Sequence, residues 1–300
     1  MKKMLSYLLL LLVLCGCEDV IDIEVPEEAP RLIINGIIRV DDLSQPFLPV
    51  EIRVSETNSF FEETPVTSLE SILILTEIYN EDGTIIERTG FSSLIDLDEG
   101  SGIYVPNPNF STEQRIATSV LQEENVRFVL ILEHKGRKYA ATARYAPVVP
   151  IDEVKQGTET LFDEEDKELI VSFTDNGDRD DFYVFDFDFG EFLVTEDAFY
   201  QGKSFEFSYF YNKDLQPGQV IDISILGADR GFYNYMNLLI EQTENNLGVF
   251  ETPVATARGN VFDITGLDNI DVVDNVARPE AFPLGYFAIV QTYTETITIE

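Results

Sequence analysis

Cys17 closes the run Leu14-Cys15-Gly16-Cys17 and is the residue with the clearest chemistry in the chain. Lys2 and Lys3 come first, then an apolar run from Leu5 to Leu14, a small residue and the cysteine. That is the order of a bacterial lipoprotein leader: a basic start, a short apolar centre, and a thiol that takes a thioether-linked lipid and becomes the first mature residue. The apolar centre is too short to span a bilayer, which needs about 20 apolar residues. Residues 1–16 are therefore expected to leave as a signal peptide, with acyl chains on Cys17 anchoring the rest to a membrane. Cys15 is the poorer acceptor, because bulky Leu14 precedes it.

Other candidate chemistry is sparse. His134 is the only histidine, so any Ser-His-Asp mechanism would need it as base. It stands beside Lys135-Gly136, and the expectation is an exposed residue at a hairpin tip. One histidine cannot build an ordinary zinc site, which wants several His or Cys ligands. The run Asp175-Asn176-Gly177-Asp178-Arg179-Asp180-Asp181 is the best metal candidate, since calcium prefers clustered oxygen ligands. Asp175, Asp178, Asp180 and Asp181 would be the ligands. The spacing departs from the calcium-loop pattern, and Asn-Gly with Asp also serves a plain turn, which is the favoured reading. There is no G-x-S-x-G, phosphate loop or H-E-x-x-H. Acidic residues are so frequent that pairs suited to glycoside hydrolysis carry no information. No catalytic residue and no cofactor is expected.

Composition narrows the partners. The chain has 20 basic and 55 acidic residues, a net charge of −35, which repels nucleic acid and anionic lipid. The leader removes two lysines and no acid, so the mature chain is more acidic still. With 44% hydrophobic residues, 22 Phe and 13 Tyr, it can nevertheless build a core. Cys15 leaves with the leader and Cys17 carries lipid, so the mature fold is expected to have no disulfide.

The elements that would position any site read as β-structure. Residues 17–30 form an acidic, proline-containing tether. From 31 to 150 the period is two. Arg31–Val40, Phe47–Val54, Ser71–Tyr79, Thr84–Arg88, Val126–Glu133 and Tyr139–Tyr145 read as strands. Asn80-Glu81-Asp82-Gly83 and Lys135-Gly136 read as hairpin turns. This predicts an immunoglobulin-like β-sandwich over 31–150, ended by the proline-marked stretch Ala146–Asp152. Residues 151–300 predict a β-rich domain with one α-helix. Tyr183, Phe185, Phe187 and Phe189 share a face, as do Phe205, Phe207, Tyr209 and Tyr211. Asp229 could cap the helix, with Phe232, Tyr235, Met236 and Leu239 along one side and Gly248 near its end. Strand-like segments close the chain at Gly259–Thr265, Leu284–Gln291 and Tyr293–Ile299.

Several motifs in order resemble a known family. They are Cys17-Glu18-Asp19-Val20-Ile21-Asp22-Ile23, Pro30-Arg31-Leu32-Ile33-Ile34-Asn35-Gly36, Gly136–Thr142, and Val148-Val149-Pro150-Ile151-Asp152. Arg258-Gly259-Asn260-Val261-Phe262 and Leu284-Gly285-Tyr286-Phe287-Ala288 complete the set. Together they resemble a Bacteroidota outer-membrane lipoprotein family described only as a domain of unknown function. The resemblance implies an outer-membrane location and genes that often lie beside TonB-dependent receptors. It offers no catalytic residues. Glu18 and Asp19 after the lipidated cysteine also resemble the surface-export signal of that phylum. The expectation is thus a non-enzymatic, lipid-anchored binding module at the outer membrane or cell surface, accessory to a TonB-dependent transporter. A surface adhesin or structural component is the alternative, and a carboxylate-based hydrolase a further one.

Overall fold

The computed structural model describes residues 30–58, 67–80, 84–123, 125–161, 167–211, 215–244, 257–267 and 282–300. The protein is all-β, with one α-helix among the described residues. The strands are β1 (Leu32–Val40), β2 (Ile52–Glu56), β3 (Ser71–Tyr79), β4 (Ile85–Asp96), β5 (Ile103–Pro106), β6 (Val126–His134), β7 (Arg137–Ala143) and β8 (Tyr145–Ala146). They continue as β9 (Ile151–Gln156), β10 (Lys167–Thr174), β11 (Phe182–Asp186), β12 (Phe192–Glu196), β13 (Ser204–Tyr211) and β14 (Val220–Ala228). Helix α1 (Arg230–Glu244) follows, then β15 (Val261–Asp263) and β16 (Leu284–Thr298).

Period-two alternation builds the first core. In β1, Leu32, Ile34, Ile38 and Val40 point inward, while Asn35 and Arg39 stay exposed on the other face. In β6, Phe128, Leu130 and Leu132 take the inner face. The β6–β7 hairpin turns at Lys135 and Gly136, both in the left-handed region (φ 49° and 69°), as a tight two-residue hairpin requires. Across the expected Asn80–Gly83 turn, β3 and β4 pair antiparallel, and Asn80 N–H donates to the Thr84 carbonyl at 3.0 Å; residues 81–83 lie outside the described residues.

Strand order runs β16-β1-β2-β5-β4-β3-β6-β7-β15, curling around this aliphatic core. Asn260 joins the ends of the ring. Its side-chain amide donates to the carbonyls of Thr142 (3.0 Å) and Phe287 (2.8 Å), and its oxygen accepts the Phe287 N–H at 2.8 Å. One side chain thus bridges β7 and β16 with the donors and acceptor of a strand. The approach is close: a Cβ on Gly259 would lie 1.4 Å from the Gly285 carbonyl oxygen. Gly285 itself has φ +91° and presses against the Ile34 carbonyl.

The second core is aromatic. Sheet β13-β10-β9 lies over β11, β14 and the second half of β16. Tyr183, Phe185 and Phe187 are fully buried, and Phe205, Phe207 and Tyr209 meet them, Tyr209 stacking on Phe187 at 3.7 Å. Phe189 leaves the expected stripe. It sits in the β11–β12 turn with φ 52°, half exposed, because the chain reverses there.

The boundary expected near residue 150 separates most of the buried residues of the two cores but not the sheet. Leu284–Gln291 of β16 pairs parallel with β1, and Thr292–Thr298 pairs antiparallel with β14. Phe287 and Ile289 therefore fill the first core, while Tyr293 and Ile297 pack on the second. Val261 of β15 also belongs to the first core. The proline-marked stretch is docked as well: β8 pairs with β16, and Val148 N–H donates to Gln291 Oε1 at 3.0 Å.

Candidate functional site

Helix α1 begins where expected. Asp229 Oδ1 accepts the Phe232 N–H at 2.7 Å, satisfying a donor that the first turn leaves without a backbone partner. Phe232 and Met236 are buried against Val184, Leu226 and Tyr286, on the face of the sheet opposite the aromatic core. Tyr235 and Leu239 flank them on the same side of the helix. The described part of the helix ends at Glu244, and Gly248 lies outside the described residues.

Between this helix and the outer face of β1 lies a groove of about 660 Å³. One wall is apolar and aromatic: Phe192, Phe232, Tyr235, Met236, Leu239 and Tyr286. The Tyr286 ring lies 5.2 Å from Phe232 and 4.9 Å from Tyr235. The other wall carries Ile33, Ile37, Asn35 and Arg39 of β1, with Glu51 and Arg53 alongside. Alternation explains the mixture. Inward positions of β1 belong to the first core, so its odd-numbered residues face the helix and can be polar.

Two ion pairs mark the groove. Arg39 Nη2 donates to Asp186 Oδ2 at 2.7 Å, and Arg53 Nε donates to Glu51 Oε1 at 2.8 Å. Burial pushes the Tyr235 and Tyr286 hydroxyls above their usual pKa, with Asp229 adding to the shift at Tyr286. They remain protonated at neutral pH and cannot serve as bases there. The lining contains no histidine, cysteine, serine or lysine. Such a set can position a ligand by apolar contact and hydrogen bonding, with Glu51, held by Arg53, as its one carboxylate.

The residues singled out from sequence lie elsewhere. Cys17, Glu18 and Asp19 fall outside the described residues. Of the four aspartates of the calcium candidate, Asp175 and Asp181 meet at the Tyr183 hydroxyl, and the four do not converge as one ligand set. Asp175 and Asp181 are buried, while Asp178 and Asp180 are exposed. Asp175 accepts the Tyr183 hydroxyl and, at 2.6 Å, the Gly202 N–H. Asp181 is gripped by Arg179 through Nε at 3.0 Å and Nη2 at 2.8 Å. Its own N–H donates to Asp197 Oδ2 at 2.6 Å. Burial raises the Asp197 carboxyl, aided by the neighbouring aspartates, while that backbone bond opposes the shift. Asn176 caps the turn by accepting the Asp178 N–H at 3.1 Å. Among the described residues no group of three or more His, Cys, Asp or Glu is arranged to hold a metal ion.

His134 is at the foot of the expected hairpin but is buried, contrary to the exposed placement read from its neighbours. It continues the inward series Phe128, Leu130, Leu132, and that phase was the signal for its burial. Its Nε2 lies 2.8 Å from Glu56 Oε1 and its Nδ1 3.2 Å from the Ser68 carbonyl. Lys135 Nζ reaches both Glu56 oxygens, at 2.7 and 2.9 Å. Burial works to raise the Glu56 carboxyl, but the bonds from Lys135 and His134 outweigh it and hold the group below its ordinary value. Arg39, Arg53, Tyr235 and Tyr286 were not identified as a site from sequence; the polar positions Asn35 and Arg39 within an apolar strand were the available signal.

Fold and groove define an all-β protein with a ligand-sized cleft beneath helix α1. The chain belongs to the family described as a domain of unknown function (DUF4249), whose profile matches residues 18–267. No curated protein matches. Among solved structures, red sea bream transglutaminase aligns at 12% identity over 68% of this chain and 29% of that one, with a TM-score of 0.19. This chain therefore spans less than a third of that protein, and a likeness of this degree carries no argument about either. No helix among the described residues is long and apolar enough to cross a membrane.

Proposed function

We propose that this chain is a lipid-anchored binding protein of the outer membrane or cell surface that presents the α1 groove to a ligand and works beside a TonB-dependent transporter without chemistry of its own. The observation that carries the binding role is the groove, whose aromatic wall and guanidinium rim suit recognition. What supports the anchor is the leader pattern ending at Cys17, followed by the acidic tether. Several acyl chains on one cysteine hold far more firmly than a single myristoyl chain, at about 0.8 kcal/mol per buried CH₂. Buried aspartates that might have served a hydrolase are engaged by Tyr183, Arg179 and backbone N–H groups, and none lines the groove.

Cross-linking in intact cells tests the proposal. A stable docking contact buries about 1,200 to 2,000 Å² in total, enough to trap the partner. Recovery of a TonB-dependent receptor, lost when Cys17→Ala releases the protein from the membrane, is the expected result. Normal membrane association of that variant would overturn the anchor. Recovery of no outer-membrane partner from abundant protein would overturn the transporter role and leave an adhesin as the better reading.

A further inference from the structure

We propose that the ligand of the α1 groove is a ring-bearing organic anion, its acid group taken by Arg53 and its apolar body laid against Tyr235 and Tyr286. The inference rests on the groove being the binding site and goes on to name the chemistry it selects.

Charge comes first. The chain has 20 basic against 55 acidic residues, yet the groove is lined by two arginines and a single acid, Glu51. Each arginine is paired with a carboxylate, Asp186 or Glu51, so the cleft is close to neutral on a chain that is otherwise strongly acidic. In a field that otherwise repels anions, a neutral patch rich in guanidinium N–H donors is the place where one is accepted.

The second argument is hydrogen-bonding capacity. A guanidinium has five N–H donors in a planar fork. Arg53 gives Nε to Glu51, two residues away on the same chain, and Arg39 gives Nη2 to Asp186. Both Asp186 oxygens are already engaged, Oδ2 by Arg39 and Oδ1 by the Asp188 N–H at 3.1 Å. Arginine N–H groups therefore outnumber the carboxylate positions left to meet them. Arg53 is the better acceptor of an incoming acid. Its side chain is 66% exposed and its partner Glu51 44%, and such exposed pairs exchange partners at little cost. Arg39 instead ties β1 to β11, two elements 147 residues apart in sequence.

The third argument is shape. The cleft lies within the range of about 300 to 1,000 Å³ that small-molecule sites occupy. Its apolar wall sets the half-buried Tyr235 of α1 against the Tyr286 ring of β16, with Phe232 buried behind them. Planar apolar rings add edge and face contacts there that a branched aliphatic body does not.

The test titrates the full-length chain, held in a neutral sugar-headed detergent, with 2-naphthoate, 2-naphthylmethanol and 2-naphthylmethylammonium, read by saturation-transfer NMR. Naphthoate should bind saturably, about tenfold more tightly than the alcohol, with the ammonium weakest. Arg53→Gln should bring naphthoate down to the level of the alcohol, Arg53→Lys should recover part of the difference, and Tyr235→Ala should weaken acid and alcohol alike. The ranking of the three probes uses the unaltered chain, so it decides the matter even where a variant misfolds. An ammonium that binds as well as the acid, or an Arg53→Gln chain that keeps the preference, overturns the anion assignment and leaves the groove as a site. Absence of saturable binding by all three overturns both.

Discussion

The ring around the first core and the sandwich around the second are filled by different residues. The ring holds branched aliphatics such as Ile34, Ile38, Ile52 and Ile74, and its ends are joined by Asn260. The sandwich holds Phe173, Tyr183, Phe185, Phe187, Tyr200 and Tyr211 beneath a separate three-stranded sheet. Each filling brings its own polar requirement. Aliphatic side chains carry no hydrogen-bonding atoms, so the ring's polar groups sit at its margins: Tyr104 accepts the Leu69 N–H at 2.7 Å, His134 meets Glu56 at 2.8 Å, and Asn260 serves the backbone at the seam. Tyrosines bring hydroxyls inside, and these draw in acceptors: Asp175 for Tyr183, the Phe187 carbonyl at 2.6 Å for Tyr211. The buried aspartates of the second core are thus a consequence of building it from aromatics.

The contrast can be broken most severely through β16, which serves both cores. Removal of residues 284–300 should abolish cooperative unfolding of the whole chain, followed by circular dichroism during thermal melts. Residues 31–150 folding alone to a stable unit would show that the cores are separable after all. Next in size is Phe185→Ala, expected to cost about 3 to 5 kcal/mol in denaturant unfolding, against about 0.5 to 1.5 kcal/mol for Ile34→Val in the ring. Equal costs after allowing for the atoms removed would erase the distinction in packing. Asn260→Ala should cost about 1 to 3 kcal/mol, because the Phe287 N–H and C=O lose their partner. Hydrogen exchange should then quicken at Phe287 while Phe185 stays protected. The smallest effect is expected in acid. Glu56 has a folded-state pKa below its unfolded one, so its stabilisation is complete above the ordinary glutamate value of about 4.3 and vanishes as pH falls through the folded value. Glu56→Gln should therefore be less stable at neutral pH, by about 1 kcal/mol or less, and converge with the parent below pH 4. A constant difference across that range would remove titration as the cause.

Sequence reading captured what is local. Asp229 with Phe232, Tyr235, Met236 and Leu239 announces the helix, because a cap and a 3.6-residue period act within a few turns. Ser71–Tyr79 and the Lys135-Gly136 turn were legible for the same reason. The pairing of β1 with β16 was not. It joins residues some 250 positions apart, and two strands that alternate correctly carry no mark of which neighbour each will take. The groove shared that fate, since Arg39, Arg53, Phe192, Tyr235 and Tyr286 meet only once the sheet exists. In the acidic turn, Asn176-Gly177 announced the reversal, but the burial of Asp175 and Asp181 depends on where Tyr183 points.

The parallel pairing of the first strand with the last also sets a timetable. Leu32 emerges, from ribosome or export channel, long before Leu284, so β1 must wait without the neighbour it has in the native sheet until some 250 further residues have followed. Antiparallel neighbours such as β6 and β7 can zip as soon as they appear, whereas β1 and β16 must close a loop of most of the molecule. Completion of the sheet is therefore tied to the arrival of β16. A truncated product keeps an open edge on β1, where a quality-control protease or a holding chaperone can tell it from the finished protein.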